Sequence, residues 1–182
     1  MSGAAIPRPW LQDRRIASLL QFWRAVRPSP ELMPGRAAID PVRLGAELLP
    51  YAALIEATHG ATRFRFRLVG SKLAEHAGLD LTGHYIEDIN PNRDYADYVN
   101  SLYRLARDTC LPVYSETRYR APSGRVGLTR RLTCPLAADG RSVDMFVAVQ
   151  VFETDSGDGD APTYTYAASF HPGFLKAVGD GD

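Results

Sequence analysis

Cysteine occurs only twice in the 182 residues, as Cys110 and Cys134. Their spacing matches neither a redox pair nor a zinc site, so both read as reduced core thiols. Lysine is as scarce, with Lys72 and Lys176 among 21 basic residues, and no functional reading attaches to that bias. No apolar run approaches the roughly 20 residues of a membrane-spanning helix; the longest are Leu48 to Ile55 and Met145 to Val149, so no membrane insertion is expected. The opening MSGAAIPRPW has neither the basic region nor the apolar core of a secretory leader, which makes the cytoplasm the expected compartment. A net charge is missing too. Twenty-one Lys+Arg balance 21 Asp+Glu, whereas a dedicated nucleic-acid binder needs a basic excess, so no nucleic-acid partner is expected. There is also no G-x-S-x-G elbow, phosphate loop, dinucleotide glycine motif or H-E-x-x-H, and nothing marks the chain as an enzyme.

What is present suits an ordinary globular protein of one domain, with 45% hydrophobic residues and enough length to bury roughly 70% of its unfolded surface. The neutral total is uneven along the chain. Residues 1 to 150 carry 20 basic and 15 acidic side chains, while residues 151 to 182 carry Lys176 alone against six acids. An acidic tail thus neutralises a basic body, which predicts that the tail folds back on the arginine-rich sheet edge.

Periodicity supplies the elements. Ile16, Leu19, Leu20, Trp23 and Val26 recur at helical spacing over Gln12 to Val26, one apolar stripe on a surface helix. Asp40 before Pro41 reads as an N-cap opening a short helix to about Leu48. Tyr51 to Ala57 is an apolar strand, and Arg63 to Leu68 alternates strictly, with His59-Gly60 turning one into the other. The outward triplet Arg63, Arg65 and Arg67 is an anion site or a solvated edge, and the edge is the better reading. Gly70 to Asn90 holds short helical turns stopped by glycine. Pro91 opens a clear helix in which Tyr95, Tyr98, Val99, Leu102, Leu105 and Ala106 share a face. The acids around its start, Glu87, Asp88, Asp94 and Asp97, lack the spacing of a calcium loop and suit the helix dipole.

Three strands follow: Val113 to Arg120, Val126 to Leu136 and Val143 to Phe152. Pro122 to Gly124 turns the first into the second. A two-residue turn at Asp139-Gly140 places Leu132 opposite Val147 and Cys134 opposite Met145. Leu132, Cys134, Val147 and Val149 then share an apolar face, and Thr129, Arg131, Thr133, Phe146, Ala148 and Gln150 a mixed one, which is a second interface or a cavity wall. Arg130 and Arg131, being adjacent, point to opposite faces, and a guanidinium on a covered face needs a partner such as Glu116 or an anionic ligand. The expected pocket is Tyr98, Thr129, Arg131, Thr133, Phe146 and Gln150. Beyond Phe152 the polar TDSGDGDAP linker leads to a segment whose Tyr164, Tyr166, Phe170 and Phe174 either fray or dock.

Two strands, short helices, a longer helix and three strands is the element order of the PAS fold, and the wording is closer still. Phe22-Trp23 with Arg27, Met33-Pro34-Gly35-Arg36, Ile39-Asp40-Pro41, Leu49-Pro50, Phe64 to Gly70, Gly78 to His84, Cys134-Pro135-Leu136, Asp139-Gly140 and Val143-Asp144 stand in order. Over about Trp10 to Phe152 the sequence resembles a family of small stand-alone bacterial PAS proteins with a helical N-terminal extension and no fused output domain. The resemblance implies an α+β fold: a five-stranded antiparallel sheet with short helices and one longer helix on one face, plus an N-terminal amphipathic helix. The chain is expected to divide into a helical extension and linker at 1–50, a PAS-like domain at 51–152 and, outside the resemblance, an acidic flexible tail with an aromatic segment at 153–182. The resemblance further implies a sensory or adaptor role through a protein partner, with a small-molecule ligand in the pocket.

Cofactor markers of related PAS domains are mostly missing. Gly70 to Asn90 has no cysteine for a flavin light sensor, and Pro91 to Asp108 has no histidine for haem; only His76 and His84 remain as ligand candidates, so both cofactors are disfavoured. The stripe Ile16, Leu19, Leu20 and Trp23 covers either its own sheet or a second subunit, and homodimerisation through it is the expectation. The rival reading is a small-molecule-binding protein or enzyme with an α+β cavity fold, to be told apart by an absorption spectrum and a native mass.

Overall fold

The computed structural model describes residues 8–90, 92–120, 126–154 and 169–182. Pro91, the Pro122 to Gly124 turn, the acidic linker and Tyr164 and Tyr166 fall outside them.

Helix α1 spans Arg14–Ala25 and starts where the Asp13 carboxylate accepts the Arg15 backbone N–H at 2.8 Å, an N-cap that satisfies one of the free donors of the first turn. Helix α2, Pro41–Leu48, opens as its sequence predicts, with the Asp40 side chain accepting from the Val42 N–H at 2.9 Å and proline at the first helical position. Strands β1 (Ala52–Thr58) and β2 (Arg63–Val69) form the first hairpin. Helices α3 (Ser71–Ala77) and α4 (Ile86–Ile89) are short, and α3 ends on Gly78 at φ 68°, a left-handed stop that glycine adopts freely. The long helix α5, Arg93–Thr109, is capped by the Asn92 side chain, which accepts from the Tyr95 N–H at 3.1 Å.

Strands β3 (Val113–Arg120), β4 (Val126–Leu136), β5 (Met145–Thr154) and β6 (Ser169–Ala177) complete one antiparallel sheet in the order β2-β1-β5-β4-β3-β6. Among the described residues the sheet therefore has six strands rather than five. The sixth comes from the C-terminal segment, where Phe170 and Phe174 supply enough apolar contact to hold an edge strand on β3.

Each sheet face has its own core. Leu132, Cys134, Val147, Val149 and Val151 pack beneath α1 with Trp10 and Tyr114, while Phe146, Ala148, Ala53 and Ile55 pack beneath α5. Residue parity assigns both faces correctly from the sequence, but the hairpin register differs by two residues. Leu132 pairs with Val149 and Cys134 with Val147, and the ladder ends at Leu136 and Met145. The Asp139 carboxylate accepts the N–H groups of Arg141 and Ser142 at 2.7 and 2.6 Å, which organises a wider loop in place of a two-residue turn. A slip of two leaves every side chain on its face.

The stripe assigned to an interface belongs to the protein's own core. Ile16, Leu19, Leu20 and Trp23 are at most 1% exposed beneath α1, and the Trp23 indole N–H donates to the Pro135 carbonyl at 2.8 Å. Of the two covers open to it, the stripe takes the chain's own sheet. Of the acidic tail, Asp155, Asp158 and Asp160 lie outside the described residues; at its end Asp180 pairs with Arg27 at 2.7 Å and Arg24 at 3.9 Å, and Asp182 with Lys176 on β6. The β2 arginines meet local acids, Arg63 with Glu87 and Asp88 and Arg65 with Glu56.

Candidate functional site

Between the α5-side face of the sheet and helices α3, α4 and α5 lies a cavity. Its floor is Ala53 on β1, Arg131 on β4 and Ala148 and Gln150 on β5; Leu73, His76, Ile86, Tyr95, Val99 and Tyr103 roof it. The space open to the centre of a water molecule is about 40 Å³, room for a few waters.

One charged side chain lies in this mainly apolar floor. Arg131 is 9% exposed and faces Gln150 directly across the β4–β5 ladder, so its Nε and Nη2 donate to the Gln150 Oε1 at 3.3 and 2.8 Å. Its guanidinium carries five donors in a rigid fork suited to carboxylate or phosphate oxygens. Tyr103 is fully enclosed, and burial pushes its hydroxyl pKa up while the Arg131 charge pulls it down. Asn90, 6% exposed, donates its side-chain amide to the Ile86 carbonyl at 2.9 Å and adds a polar group to the roof.

His76 closes one side. Its ring lies flat on Phe152, centroids 3.5 Å apart, and meets Tyr119 edge-on at 6.1 Å. Burial lowers its pKa to about 4, so the ring is neutral at pH 7. Tyr119 can occupy that position only because its strand neighbour is Gly127. A Cβ at Gly127 would come within 2.4 Å of the Tyr119 ring. Among the described residues the Tyr119 hydroxyl is buried without a hydrogen-bond partner, and burial raises its pKa to about 12.

Of the six pocket residues read from the sequence, Arg131 and Gln150 line the cavity. The other four lie beside it. Tyr98 stands within 2.9 Å of the Thr117 hydroxyl, Thr129 pairs with Thr117 across β3 and β4, and Thr133 is buried opposite Ala148. Phe146 fills the core between Phe64 and Tyr103, at 5.7 and 5.2 Å. The sequence reading missed Tyr103, Asn90 and Phe152. Tyr103 was legible in the spacing Tyr95, Val99, Tyr103 along α5; Asn90 and Phe152 carry no such signal.

The opposite face holds the second arginine. Arg130 pairs with Glu116 at 3.3 Å and with Glu153, and Tyr114 donates to Glu116 at 2.6 Å. Glu116 thus serves Arg130 on the α1 side of the sheet.

Of the two histidines in the short-helix region, His76 is stacked on Phe152 and His84 is exposed outside the lining. No group of three metal-ligating side chains occurs among the described residues. Cys134 is buried, its thiol pKa pushed up by that burial, and Cys110 is exposed at the end of α5. Among the described residues no helix is long and apolar enough to cross a membrane.

No curated protein matches the sequence. Among solved structures, VqmA bound to DPO matches with 14% identity and a TM-score of 0.49 over 62% of this chain, and the match spans 56% of that chain. The PAS domain of a protein from Colwellia psychrerythraea matches with 12% identity and a TM-score of 0.44, over 63% of this chain and 98% of that one. A family model described as PAS domain matches residues 12–150, from before α1 to within β5; the chain belongs to the PAS domain family.

Proposed function

We propose that the protein is a sensory PAS module of the cytoplasm that takes a small molecule into the α5-side cavity and passes the signal to a partner protein. The observation that carries this reading is Arg131, a buried cation set with Gln150 in an otherwise apolar floor. An apolar cavity with one convergent polar pair is the usual form of a small-ligand site. The chemistry favours a flat, mainly apolar molecule bearing an anionic or strongly accepting group. Its apolar body would meet Tyr95, Val99 and Phe152, and its acceptor the Arg131 fork.

Native mass spectrometry of protein purified from its own cells tests this. A retained small molecule is expected, and Arg131→Ala is expected to lose it, with affinity falling about tenfold or more for loss of a charged hydrogen bond. Binding of acidic small molecules that is unchanged in Arg131→Ala would refute the site.

A further inference from the structure

We propose that strand β6 and the occupant of the cavity oppose one another, because Phe170 of β6 braces the cavity wall. This regulation rests on the cavity being the ligand site. As it stands the cavity holds about 40 Å³ for water centres, whereas small-molecule pockets run to about 300 Å³ or more. A ligand must therefore displace a wall.

The floor is the stiff side. β1, β4 and β5 are each hydrogen-bonded to a strand on both edges, so moving them breaks two ladders. The roof is α3, α4 and the start of α5. Phe170 packs on Tyr95 at 5.2 Å and on Tyr98 at 5.5 Å, and Tyr95 lines the cavity. Phe170 is also the strand neighbour of Tyr119, whose ring faces the edge of His76, another lining residue. One side chain of β6 thus supports the roof at two points, α5 directly and α3 through Tyr119.

β6 is also the strand most easily moved. Among the described residues it pairs with β3 alone; it includes Pro172, which has no N–H to donate, and bulges opposite Ser115 to Thr117. Ser169, His171, Pro172, Gly173 and Leu175 are exposed. Segments with few buried contacts open at the low end of the stability range. A ligand that pushes Tyr95 outward loosens the Phe170 contact, and by linkage a docked β6 weakens the ligand by the same factor. The output is the uncovered edge of β3, a row of backbone donors and acceptors.

The probe for the test is 1-anilinonaphthalene-8-sulfonate, a flat apolar anion of the class the lining favours. Its affinity is measured by fluorescence on the full chain, on Phe170→Ala and on Arg131→Gln, with hydrogen exchange of β6 followed in the wild-type chain with and without the dye. Expected are an affinity about fivefold or more tighter in Phe170→Ala, and exchange over 169–177 faster by a similar factor when the dye saturates, with β1 and β5 unchanged. Dye binding that needs Arg131 but is indifferent to Phe170→Ala, with β6 exchange unaltered, overturns the opposition and leaves the cavity reading intact. Failure of the dye to bind either chain, or binding indifferent to Arg131→Gln, overturns both. The exchange measurement uses no variant and so decides the matter even if Phe170→Ala does not fold.

Discussion

His76 shows how one residue ties the site to the stability of the fold. Its ring faces Phe152 and Tyr119, and burial lowers its pKa from 6.5 to about 4. A depressed pKa on a base means that the unfolded chain takes up a proton before the folded one does. Stability is therefore fully present above about pH 6.5 and falls as the pH drops towards 4, at most by about 1.4 kcal/mol per pH unit from this group. His76→Gln is expected to flatten that part of the profile, as measured by urea unfolding between pH 6.5 and 4.5. An unchanged slope would place the acid sensitivity in the carboxylates. Arg130 and Arg131 make the complementary point. Alternation in a strand dictates that they part to opposite faces, which was readable from their adjacency. Which of them received Glu116 was not, since that depended on β3 presenting Glu116 on the α1 side, opposite Arg130.

At the scale of elements, α1 is a structural cover. Leu19 is fully buried between the helix and the sheet, so Leu19→Ala is expected to lower the unfolding free energy by about 2–5 kcal/mol, a transfer loss plus a cavity. The unfolding midpoint should be the same in dilute and concentrated protein; a midpoint that rises with concentration would return the stripe to a subunit contact. The sequence revealed the stripe because helical periodicity reports that a face is covered. It could not reveal what covers it, because periodicity carries no information about the opposing surface. The same division holds elsewhere. Strands β1 to β5 and helices α2 and α5 were legible from alternation, proline and capping residues, as was the two-faced use of the β4–β5 hairpin. Its register was not, because Asp139 accepts two backbone N–H groups and widens the loop. β6 was missed as a strand because Pro172 and Gly173 interrupt its alternation, and only the aromatic slots on α5 and beside Trp10 make it one.

For the molecule as a whole, the excess of basic side chains in residues 1 to 150 and of acidic ones beyond meets, among the described residues, in a few specific contacts at the C-terminus. Asp180 reaches Arg27 and Arg24 on and after α1, and Asp182 holds Lys176 and accepts the Gly179 N–H at 2.8 Å. These pairs lock the end of the chain after β6 has crossed the edge of β3. They join α1 on one sheet face to a strand whose Phe170 braces the other. Ion pairs at the protein surface, even half-covered ones, contribute little to global stability, on the order of 0–1 kcal/mol each, and are screened by salt. Removing them should therefore leave the fold intact but loosen β6 selectively. Asp180→Asn with Asp182→Asn is expected to change the unfolding free energy by less than about 1 kcal/mol. Hydrogen exchange over 169–182 should speed up, and 0.5 M salt should have the same effect on the wild-type chain and none on the variant. Exchange in β6 that ignores both the substitutions and the salt would mean that strand pairing and the two phenylalanines hold the tail unaided, and that the charge division along the sequence has no part in closing the sheet.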